Sequence, residues 1–176
     1  MKKANRAVYI ILAALLAVAL ALAFLNRGDA EMRRALEENR EFQIRVDGEY
    51  AATASLQTLL DLNPVEFKTT LATSVSAPRE VTLRGVELRA LLTALDIDTA
   101  NADHYVISGL DSYYSPLTRA EVEQDGLIYV CFAMDGEVLK PRSDGGDGPF
   151  LMVIRGSRFA QRWCKYVEAV DVVTRD

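Results

Sequence analysis

Nineteen consecutive residues without a charge, Ala7 to Leu25, follow a short basic flank of Lys2, Lys3 and Arg6. As a helix rising ~1.5 Å per residue, such a run approaches the ~20 residues that a bilayer core requires, and it exceeds the roughly 7–15 residues of an ordinary cleaved signal core. Its apolar residues fall on every face, unlike a helix that buries one stripe against a globular core. Residues 1–30 are therefore expected to form an N-terminal transmembrane helix acting as a signal-anchor, or a long signal peptide. Basic residues that precede an apolar run stay in the cytoplasm, which places everything after Leu25 outside it. The expectation is a single-pass protein of the cell membrane, or a secreted one if the segment is removed. Gly28-Asp29-Ala30 has the small-residue spacing that signal peptidase accepts, whereas the length of the run favours retention. No cysteine stands just behind the run to carry a lipid.

The roughly 145 residues after Ala30 are enough for one domain with its own core. The chain carries a net charge of −5; residues 1–30 hold four basic side chains and one acidic, so the remainder carries −8. An acidic domain on the far side of a membrane is a poor partner for nucleic acid. Between the two lies Glu31 to Glu41, where seven of eleven residues are charged with both signs mixed. Met32 and Leu36 alone make no apolar stripe, so residues 31–41 read as a solvated stalk and the domain as residues 42–176.

From Phe42 the periodicity shortens. Phe42, Ile44 and Val46 alternate with polar residues as in a half-buried strand, and Asp47-Gly48 signals a hairpin into Glu49-Tyr50. Ser55 caps a short helix carrying Leu56, Leu59 and Leu60, stopped by Asn63-Pro64. Val65 to Leu71 and Val81 to Leu83 read as strands. The segment opening at Gly85 spaces Leu88, Leu91, Leu92 and Leu95 as a helix packed on a core. Strands follow around Tyr105–Ser108 and Tyr113–Leu117, then a capping box from Thr118 to Glu121, an apolar strand Leu127 to Met134 closed by Asp135-Gly136, a mobile polar loop Ser143 to Gly148, and strands Phe150–Ile154 and Val167–Val173. Short strands interspersed with short helices predict a mixed α+β domain.

This order of motifs resembles a known family. Gly85-Val86-Glu87-Leu88 leading into the leucine helix, Tyr105-Val106-Ile107-Ser108 with Asp111 and Tyr113 to Leu117, Met134-Asp135-Gly136-Glu137-Val138-Leu139, Gly145-Gly146-Asp147-Gly148-Pro149-Phe150 through Ile154, and Arg162-Trp163-Cys164-Lys165-Tyr166-Val167 look like the oxidoreductase molybdopterin-binding domain of the sulfite oxidase type. The resemblance implies a mixed β-sheet fold, molybdopterin as cofactor, and redox chemistry on small oxyanions or sulfoxides. It further implies that the basic segment Arg155, Arg158, Arg162 and Lys165, eleven residues without an acid, faces the pterin phosphate, with Asp111 and Tyr113 beside it. Guanidinium groups suit that task because they donate two parallel hydrogen bonds.

The same resemblance places a molybdenum-ligating cysteine at Leu71-Ala72-Thr73, where this chain has none. A redox molybdenum wants a soft thiolate, and the hydroxyl of Thr73 is hard and neutral. Residue types therefore predict no metal ligands and a domain of this fold that binds a small anion, a pterin or a partner protein. The alternatives are an active molybdopterin-dependent oxidoreductase and an accessory subunit of a membrane redox complex. A lone histidine, His104, builds neither a triad nor a zinc site. Asp144 and Asp147 fall short of the oxygens that calcium needs. Cys131 and Cys164, the only thiols, are expected to be buried and free, Cys131 lying in a strand apolar on both faces.

Overall fold

The computed structural model describes residues 2–25, 27–72, 77–157 and 160–175, and the chain divides into two units, Met1–Ala35 and Leu36–Asp176. In the first, α1 (Lys2–Leu25) is one continuous helix, as expected of an alanine- and leucine-rich run without glycine or proline. Its apolar side chains between Tyr9 and Leu20 are exposed. Among the described residues no helix is long and apolar enough to cross a membrane, so the expected span is not among the structure's features.

The second unit begins earlier than its periodicity suggests. The charged stretch is helical, α2 (Arg27–Asn39), but it is not a fully solvated stalk. Leu36 is 7% exposed, and the Glu37 carboxylate accepts the Ser143 backbone N–H at 2.9 Å. One apolar side chain and one anchored carboxylate are enough to bring the last turn of a charged helix into the domain, below the threshold at which an apolar stripe becomes visible.

Two sheets follow. The first has the order β2-β1-β10-β5-β6, from β1 (Glu41–Val46), β2 (Glu49–Ser55), β5 (Ala102–Gly109), β6 (Tyr114–Thr118) and β10 (Val167–Thr174). Its central pair β1 and β10 is parallel, Ile44 opposite Val170, and its other pairs are antiparallel. The second runs β3 (Val65–Leu71), β4 (Arg79–Glu87) and β7 (Ile128–Met134), with β7 pairing both β8 (Glu137–Val138) and β9 (Leu151–Ile154). Short helices α3 (Leu56–Asp61), α4 (Leu88–Ala94) and α5 (Arg119–Glu123) connect them. The fold is thus mixed α+β, as the pattern of elements predicts.

Local chemistry fixes the corners. Asp47 and Gly48, with φ of 52 and 82°, and Asp135 and Gly136, with 52 and 84°, have both turn residues in the left-handed region, the mark of a type I′ hairpin. Ser55 and Thr58 close one capping box, Thr118 and Glu121 another. The strand β4 runs four residues further than expected, through Glu87, and a Cβ on Gly85 would stand 2.7 Å from the Cys131 Cα. Gly85 is there for strand-to-strand approach, not for opening a helix, and the β4–β7 register shifts at this point.

The core joins the two sheets. Phe42 and Phe150 meet edge-on at 4.9 Å between ring centroids, and Leu88, Leu91 and Leu92 of α4 are buried. Burying side chains of this size stabilises the domain by roughly 1.5–3 kcal/mol each. Six of the seven residues of β7 are buried, as expected of a strand covered on both faces. Cys131 and Cys164 are both free and fully buried, in agreement with the reading of their surroundings.

Candidate functional site

Where β3, β7 and β9 meet, the domain forms a partly open cavity of about 240 Å³. Leu71 and Ala72 close the end of β3, Met134 ends β7, and Leu151 opens β9. Ala160 and Gln161 of a 3-10 turn (Ala160–Arg162), followed by Trp163, form another wall. The lining is mainly apolar, and its charged part is one ion pair, Lys165 Nζ to Asp147 Oδ1 at 2.8 Å.

Each charged partner is held by backbone. Cys164 exchanges hydrogen bonds with Met152, 2.8 and 3.1 Å, which fixes Lys165 next in the chain. Asp147 sits in the glycine-rich loop, which is tied by several backbone hydrogen bonds. A 3-10 turn (Arg142–Asp144) is closed by Gly145 at φ 73°, Gly146 N–H donates to Pro141 O at 3.0 Å, and Gly148 N–H donates to Lys140 O at 2.8 Å.

The 3-10 turn over the cavity is tied down from β6 and α5. The Tyr113 hydroxyl donates to Gln161 O at 2.5 Å, and Ser115, 1% exposed, donates to Arg162 O at 2.7 Å. Arg162 grips the Glu121 carboxylate with two nitrogens, 2.7 and 3.2 Å, and donates to Pro116 O at 2.8 Å. The Arg162 hydrogen bond is the main reason that the Glu121 carboxyl is lowered to about 2, and the Thr118 backbone N–H adds to it. The same contact raises the Arg162 guanidinium. Ala160 N–H donates to Ala72 O at 3.2 Å, closing the wall onto the end of β3.

The basic segment therefore does not form one patch. Lys165 lines the cavity and is paired. Arg162 anchors the wall and is paired with an acid 41 residues away in sequence. Arg155 lies elsewhere, its guanidinium 5.0 Å over the Phe67 ring, in a groove with Lys68 and Thr70. Arg158 and Thr73 lie outside the described residues. Asp111 is exposed; its carboxylate accepts the Tyr113 N–H at 3.2 Å and faces the Cys164 thiol rather than the cavity. His104 is a surface residue beside Asp103. Trp163, Met134 and Glu121 carry the site without having been singled out for it. The single tryptophan and the capping-box glutamate were visible in the sequence, but their convergence depends on the 3-10 turn.

Among the described residues no group of three or more histidine, cysteine, aspartate or glutamate side chains could hold a metal ion. Neither thiol lines the cavity. Burial pushes the Cys131 thiol far up, and burial together with the Asp111 charge pushes Cys164 up to about 12, so both stay protonated. A molybdenum centre ligated by cysteine needs a reachable thiolate. The donors present do not fit a cysteine-held molybdenum.

The family model of the oxidoreductase molybdopterin binding domain matches residues 31–176. The chain belongs to this family. The crystal structure of the sulfane dehydrogenase SoxCD from Paracoccus pantotrophus has a TM-score of 0.63 to this molybdopterin-binding-type domain, at 14% identity, over 79% of this chain and 39% of that one. The likeness is one of fold, and the chain spans about two-fifths of that protein's length. No curated protein sequence matches the chain. Family membership bears out the motif order read from the sequence, and the two-sheet fold agrees with it.

Proposed function

We propose that this molybdopterin-fold domain is a ligand-binding module without a cysteine-held molybdenum centre, carried outside the cytoplasm on its N-terminal segment. The observation that carries it is the placement of the only two thiols, both sealed in the core and away from the cavity. What the fold keeps is a mainly apolar cavity with one ion pair at its wall, an arrangement suited to a small ligand. The uncharged run behind Lys2, Lys3 and Arg6 supports the topology.

Family membership favours a second reading, an oxidoreductase that retains the pterin. The two are separated by purifying the full chain in detergent from a host that makes the cofactor and measuring pterin fluorescence after acid oxidation. The binding-module reading expects well under one pterin per chain, and a stoichiometric yield reverses it.

A further inference from the structure

We infer that the cavity takes a small apolar zwitterion, of the class of a free aliphatic α-amino acid. This rests on the reading of the domain as a binding module and names its ligand. At about 240 Å³ the cavity holds some eight water volumes of about 30 Å³ each, the size of a ligand of on the order of ten heavy atoms. Leu71, Met134, Leu151 and Trp163 offer apolar surface to such a body.

The charged wall sets the head group. Lys165 and Asp147 neutralise one another at 2.8 Å, with side chains 42 and 36% exposed, so both remain reachable from the cavity. A lone carboxylate entering here meets Asp147 as a like charge, and a lone ammonium meets Lys165. A zwitterion opposes each of its charges to the complementary one, and adds no net charge to the site. Lysine offers three donors, of which Asp147 takes one, and a carboxylate has two oxygens.

Trp163 lines the cavity and is 5% exposed; its Nε1–H is sealed from the cavity, with no acceptor among the described residues, so the ring offers a ligand apolar surface only.

The test uses the full chain in detergent and three probes of one shape: L-leucine, isocaproate, which lacks the ammonium, and isoamylamine, which lacks the carboxylate. Trp163 is the only tryptophan, so its emission reports binding directly, with calorimetry giving the affinities. Leucine is expected to change the emission and to bind at least about tenfold more tightly than either half-ligand. Lys165→Met and Asp147→Asn are each expected to remove most of that advantage while leaving isoamylamine and isocaproate respectively no weaker. Equal affinities for the three probes, or no leucine binding at about 10 mM, overturn the inference. Stoichiometric pterin defeats the binding-module reading itself, whereas pterin-free protein that ignores leucine defeats the ligand assignment alone.

Discussion

Replacing Glu121 by glutamine tests how the cavity wall is held. In the folded chain its carboxyl sits at about 2, against an ordinary value of 4.5. A carboxyl lowered on folding adds stability that is complete above its unfolded value and is lost as pH falls towards its folded one. The difference corresponds to up to about 3 kcal/mol above pH 5. Arg162 is 46% exposed and Glu121 24%, so solvent screening reduces the contribution to about 1–2 kcal/mol. Glutamine keeps an acceptor for the Thr118 N–H and removes only the charge. Denaturant unfolding at pH 7 is therefore expected to show Glu121→Gln less stable by about 1–2 kcal/mol, and the gap should shrink to less than half by about pH 3. A variant equally destabilised at both pH values, or not destabilised at pH 7, contradicts the account of the Arg162 anchor.

Other consequences follow from the same structure. Native protein should take up no alkylating label on Cys131 or Cys164, and unfolded, unreduced protein should take up two by mass; no labels after unfolding would mean a disulfide. Leu36→Ala should cost roughly 2–3 kcal/mol in denaturant unfolding, since it empties a buried site on an otherwise charged helix; a change under about 0.5 kcal/mol would return α2 to the status of a solvated stalk. A reporter active only in the cytoplasm, fused behind Asp176, should stay silent, and strong signal there would reverse the proposed topology.

Much of the domain was legible because its signals are local. Asp47-Gly48 and Asp135-Gly136 dictate their turns, Ser55 and Thr118 their caps, and the leucine spacing of α4 its buried face. The end of β4 was not, because Gly85 answers to Cys131 on a neighbouring strand, 46 positions on. The site was legible in part. Lys165 and Tyr113 reach it, but the basic segment looked like one patch only because its acids, Glu121 and Asp147, are contributed from outside it. Arg155 faces another groove for a similar reason: its aromatic partner Phe67 is on β3. Pairings between distant elements leave no period in a sequence, so charge runs overstate what remains free to bind a phosphate.

The absence of a usable thiolate is the central claim, and the molybdenum content of the full chain tests it most directly. Protein purified from a host that makes the cofactor, and measured by elemental analysis against protein mass, is predicted to contain far less than one molybdenum per chain. One molybdenum per chain would contradict the account, since neither buried thiol can reach it.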